Sequence, residues 1–454
     1  MARPAAGAGR QAQVARLLLS AVVGTFGGGG CAQTGDPPGG PPRTTPAAIL
    51  RTVPESGAVV PDMHGSAVIQ FDEVIDEAPG GSSTGGAITG LAQKIVLSPV
   101  NGDVKVSWHR DAIHVSPAEG WKRNRVYHIE VLPGIADLRR NVTKKGKTIV
   151  FSTDGAVPTA ALSGTALAWV EQRILPQAVI RAALLPDTVA YVTLTDSTGD
   201  FRLPNIPPGR YRVWAIQDQN NNRRQDRREA FDTVMIAVDS TASTVLWVFV
   251  HDTVGPRLKG VDPLDSVTFR VNFTQSVDPL RPPDTSSLHL FALPDTTPVP
   301  VRTLFRPAQY DSIQARARAV ADSLKRLQDS LKRLQDTTHR DTSRARPTPP
   351  PPPPPPPQRP SARGGRAGPG AGAGADTTPK LDTARVRKLL AQRPVPYDRM
   401  VVQVAAPLAA GAKYLVRVHS TNLNGASASA QGVLVVPVPK PPADTTKKKA
   451  PKPP

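Results

Sequence analysis

An alternation of apolar and polar side chains runs through Tyr127-His128-Ile129-Glu130-Val131, and the stretch Tyr414-Leu415-Val416-Arg417-Val418 mirrors it. Successive side chains of a β-strand point to opposite faces of the sheet, so the pattern predicts strands with one buried face and one wet face. Shorter runs of the same kind surround both stretches, and turn residues separate them at a spacing of roughly 8–12 positions. That spacing is typical of a β-sandwich.

The strand pattern divides the chain into three predicted β-domains. Residues 49–155 form the first domain, and residues 158–250 form the second. The third domain is split: residues 255–306 precede an insertion at residues 307–392, and residues 393–436 complete the domain. Three histidines of the first domain are expected on the outward faces of neighbouring strands, and they are His109, His114 and His128. We expect them to be solvated surface residues, and a surface metal cluster is the less favoured alternative.

The split third domain is inferred because its two parts match successive parts of the first domain. Phe273 aligns with Phe71, and Tyr414 aligns with Tyr127. Neither part supplies enough strands to bury an apolar face alone, since small sets of strands are marginal in water. A long insertion costs little because loop-closure entropy grows only with the logarithm of length. Phe273 and Tyr414 are therefore expected to share one core.

Five sequence landmarks follow one another within residues 54–153. In chain order they are Pro54-Glu55-Ser56-Gly57, Ile69-Gln70-Phe71-Asp72-Glu73 with Asp76, Tyr127 to Val131, Ile135-Ala136-Asp137 and Phe151-Ser152-Thr153. Together they resemble the bacterial Ig-like domain first described in S-layer proteins. The resemblance implies a structural or spacer module of envelope and surface proteins, and it implies no catalytic residue. The third domain resembles a second copy.

The second domain has a different order of features. A strand that starts at Tyr191 is followed by a turn, a Gly-x-Phe strand, a Pro-Pro-Gly turn and a Tyr strand. This order resembles the carboxypeptidase regulatory-like, or transthyretin-like, β-sandwich, which is non-catalytic despite its name. The side chains expected in its core are Phe201, Leu203, Tyr211 and Val213.

The N-terminus predicts export. Residues 1–30 have the anatomy of a signal peptide, with a basic start, a short apolar segment and a glycine run. Small residues directly before Cys31 resemble a bacterial lipoprotein signal, which implies lipidation of Cys31, and Ala32 after it implies delivery to the outer membrane. Ordinary cleavage near Ala32, which would leave a soluble secreted protein, is the alternative. Residues 31–48 are rich in Pro, Gly and Thr and predict a flexible tether.

Composition limits the other function classes. The chain has 56 Lys and Arg against 37 Asp and Glu, a net charge of +19, which favours anionic partners such as envelope polymers. No recognition signature for nucleic acid accompanies this charge, so no nucleic-acid partner is expected. A single Cys excludes a disulfide scaffold and Cys-based metal sites. The Lys-rich tail at residues 437–454 is expected to be disordered and available to an anionic polymer.

One loop has the residue types of a calcium site. Oxygen-bearing side chains stand at positions 1, 3, 5, 9 and 12 of a stretch that resembles an EF-hand loop in spacing, and these residues are Asp218, Asn220, Asn222, Asp226 and Glu229. Arg223 stands where such loops use Gly, and three further Arg oppose a dication. The alternative is a polar hairpin tip in which Asn supplies turn conformations. No other cofactor is expected.

A helical repeat lies within the insertion. Residues 322–328 recur unchanged as residues 329–335, and apolar side chains recur at 3-4 spacing from Ile313 to Leu334. This seam covers about three heptads of a coiled coil. The seam allows three arrangements. The helix can self-associate weakly through residues 313–334, it can dock on a sandwich of its own chain, or it can stand as a lone helix. The nine prolines at residues 349–357 predict a stiff polyproline II spacer.

These features predict an all-β protein with tandem Ig-like β-sandwiches, a helical and Pro-rich insertion and disordered termini. The expected function is that of a non-enzymatic, lipid-anchored envelope protein that acts as a spacer, scaffold or adhesion-type module. The alternative is a polysaccharide- or peptidoglycan-binding envelope protein, which the basic charge favours. No catalytic motif is present in the sequence, and no catalytic residue is assigned.

Overall fold

The computed structural model describes residues 44–77, 90–338 and 382–438, with residues 334–338 described by their backbone alone. The predicted signal peptide, Cys31, most of the tether, the proline run and all but the first two residues of the basic tail lie outside the described residues. The lipid anchor, the polyproline spacer and the disordered tail therefore remain predictions. Within the described residues, no helix combines the length and the apolar character that a membrane span requires.

Two antiparallel sheets enclose the core of the first sandwich. Its strands are β1 (Ile49–Val53), β2 (Ala67–Phe71), β3 (Ile95–Ser98), β4 (Val104–His109), β5 (Ala112–Pro117), β6 (Val126–Val131) and β7 (Lys147–Ser152), with a 3-10 turn at Gly90–Lys94. The strand orders are β1-β2-β5-β4 and β3-β6-β7. Tyr127, Ile129 and Val131 of β6 lie in the core with Phe71 and Phe151, as the alternation predicts.

The second sandwich has its own core and one parallel strand pair. Its strands are β8 (Ala160–Ala168), β9 (Arg173–Ile174), β10 (Val179–Leu184), β11 (Ala190–Leu194), β12 (Asp200–Ile206), β13 (Gly209–Ile216), β14 (Phe231–Val238) and β15 (Thr241–Val248). One sheet has the order β11-β10-β13-β14, and the other has the order β12-β8-β15 with β9 beside β8. Strands β8 and β15 run parallel. The four side chains predicted in this core are buried: Phe201, Leu203, Tyr211 and Val213.

The third sandwich takes strands from both sides of the insertion. They are β16 (Leu258–Pro263), β17 (Thr268–Val277), β18 (Leu288–Ala292), β19 (Thr297–Val299), β20 (Val301–Phe305), β21 (Tyr397–Val404), β22 (Lys413–Thr421) and β23 (Ser427–Val435). The orders are β16-β17-β21-β20 and β19-β18-β22-β23. Because β21 pairs with β17 and β22 pairs with β18, each sheet joins the two parts. Phe273 and Tyr414 are both buried in this one core, as expected.

The insertion contributes two described helices. Helix α1 (Pro307–Thr338) begins with Pro307, whose missing N–H costs nothing in the first turn. Helix α2 (Thr383–Leu390) begins after Asp382, whose carboxylate accepts hydrogen bonds from two backbone N–H groups of the first turn at 3.0 Å each. The described residues from Pro46 onward, helices and sandwiches together, belong to one compact unit. The predicted all-β fold class is confirmed.

Candidate functional site

The predicted calcium residues are brought together in one loop between β13 and β14, which we call the Asp218 loop (residues 218–229). The Asp218 carboxylate accepts hydrogen bonds from the backbone N–H groups of Asn222 at 3.3 Å and Arg223 at 2.7 Å. Glu229 is buried, and its carboxylate accepts from the N–H groups of Gln219 at 2.8 Å and Asp226 at 3.0 Å. Both ends of the loop are therefore closed by carboxylates that bind its own backbone.

The middle of the Asp218 loop is closed by side chains. The amide groups of Asn220 and Asn222 donate to the same Asp226 oxygen, at 2.6 and 3.0 Å. Within the described ranges, no group of three or more His, Cys, Asp or Glu side chains is arranged to hold a metal ion. The carboxylates and Asn side chains of the loop thus bind groups of the loop itself, and calcium binding stays a prediction.

Arg223 turns the loop into an anchor between the first and second sandwiches. Its φ of 54° is the left-handed conformation for which loops of this type use Gly. Its guanidinium leaves the loop and donates to the backbone carbonyl of Ile95 at 2.6 Å and to that of Gln93 at 2.5 Å, both in the first sandwich. Burial lowers the pKa of Arg223 to about 10, and the nearby carboxylates of Glu130 and Asp218 oppose that change. From the sequence alone, Arg223 served only as an argument against calcium binding, and its contact with the first sandwich was not predicted.

The outward face of β6 is covered by the second sandwich. His128 is only 2% exposed; its Nε2 donates to the Asn205 carbonyl at 3.3 Å, and its ring lies 4.9 Å from that of Tyr191. The prediction that His128 is a solvated surface residue is therefore wrong, because docking of the second sandwich buries that face. Burial lowers the pKa of His128 to about 4. Beside it, Glu130 accepts a 2.7 Å hydrogen bond from the Thr193 hydroxyl, and burial raises the pKa of Glu130.

The other two histidines lie on the sheet that contains β4 and β5. His109 is exposed and His114 is half-buried, and their rings are 4.0 Å apart. Burial, and next the neighbouring His109, lower the pKa of His114. Two imidazoles without a third ligand among the described side chains do not make a metal site.

A second anchor joins the end of the insertion to the second sandwich. The Arg385 guanidinium on α2 grips the Asp200 carboxylate in two hydrogen bonds of 2.6 and 2.8 Å and also donates to the Thr165 hydroxyl at 2.9 Å. Burial opposes ionisation of Asp200, but the hydrogen bonds from Arg385 and Thr165 outweigh it and lower the pKa of Asp200. A bidentate Arg–carboxylate pair fixes geometry as well as energy.

Aromatic side chains complete this second anchor. The Arg393 guanidinium lies 5.3 Å from the ring centroids of both Trp169 and Trp247, a distance suited to cation–π attraction. The Trp169 indole N–H donates to the Pro394 carbonyl at 3.2 Å, and Leu389 of α2 packs against the same aromatic cluster. This contact was not predicted from the sequence. Its only local signal is an apolar Leu pair, with Arg residues on both sides, in an otherwise polar insertion.

The comparisons with known proteins agree with the fold of the first sandwich. Residues 43–153 match the family model described as a bacterial Ig-like domain. This match confirms the resemblance stated for the first copy, whereas those stated for residues 158–250 and for the split domain stay predictions. No curated protein matches the chain.

Several solved structures match at low similarity. The major pilin subunit BcpA of Bacillus cereus is 12% identical over 43% of this chain and 67% of the pilin, with a TM-score of 0.17. Domains 1–6 of the surface layer protein SbsC are 8% identical over 87% of this chain and 55% of that one, with a TM-score of 0.15. An α2-macroglobulin fragment from Escherichia coli is 11% identical over 55% of this chain and 84% of its own, with a TM-score of 0.17. No statement about function follows from likeness at this level.

Proposed function

We propose that the protein is an exported, non-enzymatic module of the bacterial cell envelope that acts as a spacer or scaffold at the cell surface. The observation that carries this proposal is the match of residues 43–153 to the bacterial Ig-like domain, followed in the same compact unit by two further β-sandwiches. In such sandwiches the loops cluster at the two ends, so one sandwich can follow another end to end along the chain.

The contacts between sandwiches support a spacer that resists bending. The first interface holds a half-buried Arg223 and a buried His128, both with backbone acceptors on the neighbouring sandwich. At the second anchor, Arg385 of helix α2 binds Asp200 of the second sandwich. Buried polar groups lose their partners when such an interface opens, so opening is costly. A flexible string of domains would not need these contacts.

The anchor in this proposal is a lipid on Cys31, held away from the sandwiches by the predicted tether at residues 31–48. Metabolic labelling with a palmitate analogue tests it in bacteria that express the full chain. Wild-type protein should be labelled and should sediment with membranes, and Cys31→Ser should be unlabelled. The two proteins should melt at the same temperature, because the strands of the first sandwich begin only at Ile49.

Two outcomes would contradict parts of this proposal separately. Unlabelled wild-type protein in the culture medium would remove the anchor and leave a secreted protein. Release of soluble fragments from purified peptidoglycan or envelope polysaccharide by the purified chain would remove the non-enzymatic assignment.

Self-association through α1 is a further part of the proposal. The large seam side chains whose surroundings are described are between 47% and 61% exposed, and they are Ile313, Val320, Leu324, Leu327 and Leu331. The described residues of the chain therefore do not bury the seam, which disfavours docking on its own sandwich. The positions beside the seam are mostly Gln, Ser and Ala, so two copies of the helix can approach without like-charge repulsion across it.

Weak calcium binding by the Asp218 loop is proposed on its oxygen spacing. Calcium has to displace the amide groups of Asn220 and Asn222 from Asp226, and the oxygens of these amides already accept from the backbone N–H groups of Asn222 and Arg224, so the binding expected is weak. Millimolar Ca²⁺ should raise the melting temperature of the full chain by mass action, and Mg²⁺ should do so less. Asp218→Ala should abolish the difference between the two ions; equal melting in both for the wild type would leave only the hairpin assignment.

A further inference from the structure

A large cleft lies between the first and second sandwiches. It has a volume of about 1400 Å³, and it is lined on one side by the 3-10 turn, β6 and the loop after β6, and on the other by β10, the loop after β11 and the Asp218 loop. Pockets for single small molecules are usually about 300–1,000 Å³. The cleft is therefore large enough for several linked units of a polymer.

The lining of the cleft carries an excess of unpaired positive charge. Three lysines come from the first sandwich and one arginine from the second: Lys94, Lys144, Lys145 and Arg173. Among the described residues none of these four forms a salt bridge with an acidic side chain. Lys144, Lys145 and Arg173 are exposed to solvent, and Lys94 is half-buried.

The acidic side chains of the cleft are, in contrast, already engaged. Glu130 accepts a hydrogen bond from Thr193, Asp196 accepts from the backbone of Thr198 and of Asp200, and Asp218 accepts from the backbone of Arg223. These hydrogen bonds hold the three carboxylates in place, and the five basic side chains of the lining, Arg223 included, outnumber them. The net field in the cleft is therefore positive and favours an anionic ligand.

The other lining residues narrow the class of anion. None of the lining residues of the cleft is aromatic, so the stacking platforms that single-stranded nucleic acids use are missing. Neutral hydrogen-bonding side chains are present instead: Gln93, Gln177, Ser197, Gln217 and Asn221. Amides and hydroxyls of this kind both donate and accept, as sugar hydroxyl groups require.

We propose that this cleft binds an acidic polysaccharide, with its carboxylates at Lys94, Lys144, Lys145 and Arg173 and its hydroxyls at the neighbouring amide side chains. The ligand spans both sandwiches, so the interface anchored by Arg223 presents the binding surface. This binding activity goes beyond a spacer role and needs neither the lipid on Cys31 nor the basic tail.

The test uses the purified full chain and fluorescently labelled polygalacturonate, with neutral dextran and a single-stranded oligonucleotide as comparison ligands. Polygalacturonate should bind at low salt, and its affinity should fall as salt screens the charges. Dextran should not bind, and the oligonucleotide should bind at least tenfold more weakly than polygalacturonate.

Two matched quadruple variants separate the cleft from overall charge. The cleft variant carries Lys94→Gln, Lys144→Gln, Lys145→Gln and Arg173→Gln, and should lose at least tenfold in affinity. The control variant loses the same charge from exposed positions that do not line the cleft, at Lys105→Gln, Lys259→Gln, Lys413→Gln and Arg202→Gln, and should lose less than threefold. Both should melt close to the wild type, since none of the eight side chains is buried.

Three results would overturn the proposal: wild-type protein that does not retain polygalacturonate at low salt, equal losses in the two variants, and an oligonucleotide bound as tightly as polygalacturonate. Equal losses would assign the binding to net charge or to the basic tail, and the third result would assign it to nucleic acid. None of these results bears on the labelling of Cys31, so failure here leaves the proposed envelope function standing.

Discussion

His128 makes the interface between the first and second sandwiches sensitive to acid. In the folded chain it is neutral, because burial lowers its pKa from 6.5 to about 4, although the hydrogen bond to Asn205 acts in the opposite direction. In the unfolded chain, His128 regains its ordinary pKa and takes up a proton as pH falls below about 6.5. Between these two values the unfolded state binds more protons, so the free energy of unfolding decreases as pH falls.

The size of this effect follows from the pKa. At 1.36 kcal/mol per pKa unit, the difference corresponds to about 3 kcal/mol. The full contribution is present above pH 6.5, it declines as pH falls toward 4, and no more is lost at lower pH. Glu130 acts in the opposite direction, because burial raises its pKa, so the comparison must keep Glu130 unchanged.

The assay compares wild type with His128→Gln by urea unfolding at half-unit steps from pH 7.5 to 4. Gln retains a hydrogen-bond donor but does not titrate, so the difference in unfolding free energy between the two proteins should shrink by about 3 kcal/mol toward pH 4. In the folded chain, the NMR chemical shift of a carbon-bound imidazole proton of His128 should change with a midpoint near pH 4. A difference that is constant with pH, together with a titration near pH 6.5, would refute the buried neutral imidazole.

Three further changes test the other structural assignments. Arg385→Ala should lower the free energy of unfolding by about 1 kcal/mol, because the ion pair that it breaks is half-exposed. Arg387→Ala, at an exposed position of the same helix, should lower it by less than 0.5 kcal/mol. Equal losses in the two variants would refute the anchor. Leu324→Gln should abolish any concentration-dependent rise in mass measured by sedimentation equilibrium, and a wild-type mass that stays monomeric at 100 μM would end the coiled-coil proposal. Gly164→Ala should lower the free energy of unfolding, measured by thermal unfolding, by about 2–3 kcal/mol, because the new Cβ would lie 2.2 Å from the Thr244 carbonyl oxygen. Gly260→Ala should leave the free energy of unfolding nearly unchanged, because open space surrounds Gly260.

The amino-acid sequence alone predicts which side chains of each strand face the core of their own sandwich. Tyr127, Phe201, Tyr211, Phe273 and Tyr414 are all buried where the alternation predicts. This prediction works because a strand's period of two depends only on the local backbone. For the same reason, the 3-4 spacing of apolar residues predicted helix α1 before any contact was known.

Which outward faces are covered depends on how the sandwiches dock on one another. His128 follows the alternation correctly and is buried all the same, because a second sandwich docks on that face. Arg223 donates a hydrogen bond to a carbonyl 128 positions earlier in the sequence, and Arg385 donates one to a carboxylate 185 positions earlier. Local patterns carry the period of one element but not the identity of a partner so distant in sequence. The anchors and the basic cleft therefore become visible only when the sandwiches are placed side by side.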